Sequence, residues 1–228
     1  MHAVTTAAAM RPACSACPLH RPGGFTMIEL MVGLAILSIT LAVGWPAMTG
    51  WLTATRAQAA SEFYAEGLRM ARAEAMKRNV VSRLSLTDNT TNGQQDWQVD
   101  ICLPGSGVTC HESGSSWSTV AAPATSSDPD DTRGADFRSV FRSANSLPPV
   151  AVMTLTRVPG AATDIYFTPL GWVDSDPTVA PALTQLQIKP GTANAGAFPG
   201  ATVAITLAGA ISKCDLGRPV TDSRGCPP

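Results

Sequence analysis

The sequence predicts an α+β fold: a long N-terminal helix with a membrane-embedded first half, then a β-rich globular head of antiparallel sheets. Three observations point there. Residues 30–55 form 26 consecutive positions without a charge, and about 20 apolar residues suffice to cross a bilayer as a helix. Residues 51–78 are Ala-rich, with an apolar stripe at helical spacing. After Asn79 the apolar period drops to two, the pattern of half-buried strands.

The apolar run opens with GGFTMIELMVGLAILSI, residues 23–39, and holds one acid, Glu29. A mid-helix carboxylate costs about 2.5–3.5 kcal/mol on insertion scales and less near a helix end, so an acid kept there is as a rule paired or functional. Residues 1–24 contain Arg11 and Arg21 and no acid, which keeps the N-terminus cytoplasmic and exports the rest under the positive-inside rule. Three readings compete for the segment. A cleaved secretory signal ends in an Ala-x-Ala-like site, which AQAA at 57–60 imitates, but this core is too long and Glu29 and Arg56 are misplaced for it. A plain membrane anchor fits the length and gives Glu29 no purpose. In the third reading, proteolysis between Gly24 and Phe25 makes Glu29 the fifth residue of a new chain, close to a fresh α-amino group. Such a charged turn pairs with that of the next subunit, because a carboxylate in apolar surroundings gains much from a complementary charge.

The stretch GFTMIELMVGLAILSI resembles the class III signal of type IV pilins and type II secretion pseudopilins. The resemblance makes Gly24 the residue before the cut, Phe25 the N-methylated residue, and Glu29 the family's invariant acid, which registers subunits during assembly. Pro46 is expected to kink the helix by removing one backbone donor, and pilin-like proteins often carry a proline there. The leader is long for this family, which leaves Met10 as an alternative start.

Beyond the membrane segment, Tyr64, Leu68, Ala71 and Ala75 share one helical stripe and are expected to pack on a sheet. Glu66 with Arg69, and Glu74 with Arg78, are spaced for outward ion pairs. RLSLT and WQVDICL alternate, with DNTTNGQQ between them as a hairpin loop. In WQVDICL, Trp97, Val99, Ile101 and Leu103 fall on one face, and Gln98, Asp100 and Cys102 on the other. Further strands are expected at 137–141, 150–157, 164–168, 183–188 and 202–208, separated by Pro-, Gly-, Ser- and Asp-rich surface loops such as 121–136 and 189–200.

Composition bounds the exported part to one domain: without the leader and the membrane helix roughly 175 of the 228 residues remain, enough for one core. The formal net charge is -1, and loss of the leader's two Arg leaves 14 basic against 17 acidic side chains. Bulk electrostatic attraction to nucleic acid is therefore excluded. Of six Cys, Cys14 and Cys17 lie in the leader, at Cys-x-x-Cys spacing but without a strand-helix context. Cys102, Cys110, Cys214 and Cys226 remain; four Cys allow three pairings, and the short separations favour Cys102 with Cys110 and Cys214 with Cys226. Disulfides imply an oxidising compartment such as a bacterial periplasm. A zinc site from Cys102, Cys110 and His111 lacks a clear fourth ligand, and no metal or cofactor is expected. Of the three His, His2 and His20 lie in the leader and His111 has no assignable catalytic partner, so no enzymatic activity is expected.

DIYFTPLGWV, 164–173, and ATVAITLAGAISKC, 201–214, resemble the paired strand-Gly segments of the GspH/FimT branch of minor pilins and pseudopilins, with Phe167, Gly171 and Gly209 where that pattern has them. The resemblance implies a cleaved leader at 1–24, a transmembrane and assembly half-helix at 25–50, an amphipathic second half at 51–79, and a β-rich head at 80–228. It also implies insertion in the bacterial inner membrane with the head periplasmic, and cleavage by a prepilin peptidase. Incorporation with other pilins or pseudopilins then follows through an inner-membrane assembly platform. Two roles follow: a minor pilin of a type IV pilus, serving pilus biogenesis and with it motility, adhesion or DNA uptake, and a minor pseudopilin of type II secretion. A third reading, from another class, is an anchored periplasmic binding domain that never polymerises. Some FimT-type minor pilins bind DNA through a C-terminal Gly-Arg-x-Arg motif. Gly217 and Arg218 fit its start, but Val220 stands in place of the second Arg. Lys213, Arg218 and Arg224 form a small basic tail, diluted to +1 by Asp215 and Asp222, which offers local phosphate attraction or simply solvated charges.

Overall fold

The computed structural model describes residues 24–103, 110, 116–128, 130–175, 182–196 and 198–227. The expected leader, with Cys14, Cys17, His2 and His20, and His111 lie outside them. Two compact units are present, Met1–Trp45 and Pro46–Pro228. Helix α1 covers Met27–Arg78. In the first unit its side chains are exposed on every face, from Met27 at 76% to Val43 at 74%, and α1 contains a window long and apolar enough to cross a membrane. The side chains of Pro46 and Ala47 are not among those described, and the kink expected at Pro46 falls there.

In the second unit the expected stripe is the buried face of α1. Tyr64, Leu68, Ala71 and Ala75 are fully buried. The helix ends at Asn79, whose φ of 54° is the left-handed conformation that stops helices. The Val80 amide then reaches back to the Ala75 carbonyl at 3.2 Å.

Nine strands follow among the described residues: β1 (Ser82–Asp88), β2 (Gln95–Leu103), β3 (Ser116–Trp117), β4 (Val140–Arg142), β5 (Met153–Val158), β6 (Asp164–Phe167), β7 (Gln185–Pro190), β8 (Ala201–Ile205) and β9 (Ile211–Cys214). They form two antiparallel sheets. One has the order β3-β2-β1-β6, with β4 also paired to β2, and the other β5-β7-β8-β9. The alternation of β1 and β2 sets the register: Ser82 faces Ile101, Leu84 faces Val99 and Leu86 faces Trp97, giving one apolar face to cover. Helix α1 covers it at close range. A Cβ on Gly67 would lie 2.8 Å from Trp97 Cδ2 and 2.9 Å from Leu84 Cδ1, so only glycine fits without displacing them. Polar anchors fix the same seam. Tyr64 donates its hydroxyl to the Gln95 carbonyl at 3.0 Å, Trp97 Nε1 donates to the Phe63 carbonyl at 3.0 Å, and Ser82 Oγ donates to the Ala71 carbonyl at 2.6 Å.

The opposite face of β2 departs from the expected solvent exposure. Asp100 and Cys102 are fully buried, because β3 pairs along β2 and the Ser139 segment lies beside it. Burial of Asp100 is offset by bonding: its carboxylate accepts from Arg83 Nε at 2.8 Å, Gln98 Nε2 at 2.7 Å and Ser139 Oγ at 2.5 Å. Arg83 in turn stacks 4.3 Å from the centre of the Trp117 ring.

Other differences are local. Glu74 pairs with Arg78 at 2.9 Å as the spacing suggests, but Arg69 reaches back to Glu62 at 3.1 Å and Glu66 faces Arg142 at 3.9 Å. A helix-to-strand partner and a two-turn partner therefore replace the expected Glu66–Arg69 pair. The strand expected over 202–208 stops at Ile205, because residues 206–210 turn with Gly209 at φ 73° and lead into β9. In place of the segment expected over 137–141 there is the three-residue β4, which starts later and runs one residue past it.

Candidate assembly site

Thr26 precedes the first turn of α1, and its hydroxyl accepts the Glu29 amide at 3.3 Å. With Glu29 three positions on, this is one half of a capping box: the side chain satisfies an amide that has no partner within the helix. A carboxylate in the first turn is also favoured by the helix dipole. A Cβ placed on Gly24 would meet nothing within 4 Å, and Phe25 is 86% exposed. The bond between them is sterically open on the described side. Gly24, Phe25 and Glu29 thus occupy one accessible stretch at the helix start, and the apolar side chains that follow find no cover among the described residues of the first unit.

At the other end of α1 the two glycine turns meet. Gly171, at φ 77°, and Gly209, at φ 73°, sit back to back, and Arg72 Nε donates to the Gly171 carbonyl at 3.0 Å. Phe167 is fully buried beside them. The turns are joined by backbone as well, since the Val173 amide donates to the Leu207 carbonyl at 2.9 Å. These glycines hold the end of one sheet against the end of the other.

The basic tail is neutralised. Lys213 Nζ lies 2.6 Å from Glu62, Arg218 contacts Asp215 at 3.4 Å and Asp222 at 2.9 Å, and Arg224 lies 3.7 Å from Asp222. Hydrogen bonds from Lys213 and then Arg69 hold the Glu62 carboxyl below the usual range. Those from the Arg224 amide and the Arg218 guanidinium do the same for Asp222. The three cations sit in one region, each next to a carboxylate.

Disulfides join Cys102 to Cys110 and Cys214 to Cys226, eight and 12 residues apart in sequence. With both sulfurs bonded to each other, Cys102 and Cys110 are not available as zinc thiolates. Among the described residues no cluster of His, Cys, Asp and Glu could hold a metal.

Two residues of these sites escape the sequence patterns used above. Thr26 is signalled by Thr-x-x-Glu ahead of an apolar run. Arg72 has no such signal, because its partner is a backbone carbonyl 99 residues away.

Comparison with known proteins gives the family. Residues 19–45 match the prokaryotic N-terminal methylation motif, and residues 59–209 match the family described as type II transport protein GspH. The chain is similar to crystal structures of the type IV minor pilin FimU of Pseudomonas aeruginosa in two crystal forms. Each has 17% identity and covers 71% of this chain, with TM-scores of 0.37 and 0.36 and coverage of 90% and 94% of FimU. A search of curated proteins gave no match. The matched methylation motif and the GspH match over most of the head together show that the chain belongs to the GspH family of type IV minor pilins and pseudopilins.

Proposed function

We propose that this chain is a minor pilin of a type IV pilus, acting as a structural or priming subunit and not as an enzyme. A prepilin peptidase cuts between Gly24 and Phe25, and Phe25 is then N-methylated. Before assembly the chain is held in the bacterial inner membrane by residues 25–50, with its N-terminus cytoplasmic and its head periplasmic. The assembly platform then moves it into a filament of other pilins.

The observation that carries this reading is the exposed Glu29 in a capped first turn, followed by apolar side chains with no cover among the described residues of their unit. Such a helix is completed by lipid or by other helices. In a bundle, the new α-amino group of one subunit and the Glu29 carboxylate of the next neutralise each other, which removes the cost of either charge alone in an apolar medium. Subunits out of register leave both charges unpaired, so the pair selects the packing. Intact-mass spectrometry of the membrane-extracted chain tests the first step: the expected mass begins at a methylated Phe25. A mass that retains residues 1–24, or Glu29→Ala entering filaments as well as wild type, overturns the reading in favour of a non-polymerising anchor.

A second reading, a minor pseudopilin of type II secretion, is favoured by the description of the matched family. Deletion of the gene separates the two. Loss of surface pili supports the first, and loss of exported enzymes with pili intact supports the second.

A further inference from the structure

The first turns of α1 in the second unit expose Met48, Trp51 and Leu52 at 65%, 68% and 40%. The next charged residue is Arg56. Met48, Leu52 and Arg56 are spaced four apart and share one helical face, which Trp51 flanks. The remaining cations of α1 in this unit are all engaged: Arg69 by Glu62, Arg72 by the Gly171 carbonyl, and Lys77 and Arg78 by Glu74. Arg56 has neither an ion pair nor a hydrogen bond among the described residues, and it is exposed.

An exposed Trp with aliphatic neighbours, followed one turn later by an unpaired cation, has the chemistry of a bilayer surface. Tryptophan prefers the headgroup level, where its ring is apolar and its N–H is wet. Arginine lays its stem along apolar surface and keeps its guanidinium at the phosphates. The rest of the chain gives this face its specificity. After loss of the leader the protein is acidic, so an anionic leaflet repels the head as a whole. Arg56 is the cation placed to offset that repulsion where apolar side chains enter the interface.

We propose that Met48, Trp51, Leu52 and Arg56 form an interfacial anchor that seats the base of the head on anionic phospholipid headgroups before assembly. This rests on the reading of the preceding apolar residues as a membrane span. It assigns to these four residues a function separate from the cleavage and charge pairing at Phe25 and Glu29.

The test uses the full chain reconstituted in vesicles of phosphatidylethanolamine with phosphatidylglycerol, and in pure phosphatidylcholine. The Trp51 signal is isolated as the difference between wild type and Trp51→Phe. Its quenching is compared for lipids brominated near the glycerol, lipids brominated near the chain ends, and aqueous acrylamide. Resistance to alkaline extraction reports insertion independently. The expected result is strongest quenching by the shallow bromines in phosphatidylglycerol vesicles. In Arg56→Gln the ratio of lipid-associated to water-exposed Trp51 falls by about fivefold, and the difference between the two vesicle types disappears. If wild type is alkali-resistant but Trp51 is open to acrylamide, the anchor is overturned and the membrane reading stands. Trp51 shielded from bromines and acrylamide alike overturns it in favour of cover by protein. If alkali extracts wild type, both fail.

Discussion

The backbone of Gly209 approaches the carbonyl oxygen of Gly171 so closely that a Cβ on Gly209 would stand 1.9 Å from it. Nothing in that contact can rotate away, since both sides are main chain. The Cβ position of Gly171 meets Met76 Sδ at 2.6 Å instead, the far end of a flexible side chain. Two glycines with similar φ therefore differ in tolerance.

Alanine substitution should separate them. Gly171→Ala is expected to cost about 1–2 kcal/mol, the left-handed backbone term. Gly209→Ala adds an unrelievable overlap and is expected to cost about 3–5 kcal/mol. Urea denaturation of the detergent-solubilised chain, followed by tryptophan fluorescence, checks the order; equal losses would show that the turns are not in contact.

Gly67 offers a second comparison. Alanine there gains about 1 kcal/mol of helix propensity but must push into the buried Trp97 ring and a Leu84 methyl, at about 1–3 kcal/mol. A net loss of about 1 kcal/mol is expected from the same denaturation measurement, and Gly67→Leu should not fold. A stabilised Gly67→Ala would mean that α1 stands further from the sheet.

Arg83 and Asp100 are not equivalent partners. Removing Arg83 strands a carboxylate with no exposed surface, whereas removing Asp100 leaves a cation whose side chain is 28% exposed and can reach water. Arg83→Ala is expected to cost about 3–4 kcal/mol and Asp100→Ala about 2 kcal/mol. A double-mutant cycle should show positive coupling, and additivity would remove the pair from the account.

The C-terminal tail should respond to acid in a defined direction. Glu62 and Asp222 titrate below their ordinary values in the folded chain, so their pairs contribute fully above the usual carboxylate range and are lost as pH falls through the lowered values. Amide exchange in residues 215–226 is expected to stay slow down to the ordinary carboxylate range and to quicken only below it. Cys214→Ser with Cys226→Ser should quicken it at neutral pH and cost about 3 kcal/mol, as expected for a loop of this length. An unchanged exchange profile in acid would show that the ion pairs do not hold the tail.

Much of the fold is legible in residues whose partners are near in sequence. The stripe through Tyr64, Leu68, Ala71 and Ala75 and the alternation from Trp97 to Leu103 each report one element meeting one apolar surface, and both faces are buried as the pattern suggests. What the pattern misses is decided by long-range cover. Asp100 and Cys102 read as solvent-facing because two polar or small positions alternate with apolar ones, and nothing local announces that β3 and Ser139 close over them. Strand β9 is hidden for another reason: only lateral pairing with β8 makes ISKC a strand, since its own alternation is weak. At the candidate assembly site, Phe25 and Glu29 are legible as a linear motif, whereas the Arg72 contact to Gly171 depends on two turns meeting in space.

The seam between α1 and the head has a mechanical meaning. Tyr64, Trp97, Ser82 and Arg72 tie one helix to four separate points of the β-rich unit through side-chain bonds to main-chain carbonyls. A pull along the helix axis is shared among these ties and does not fall on a single one, so they do not yield in sequence like the teeth of a zipper. If the chain is drawn out by its helix, as proposed above, it can drag its cargo of strands intact, and the traction that moves the rod need not unfold the head.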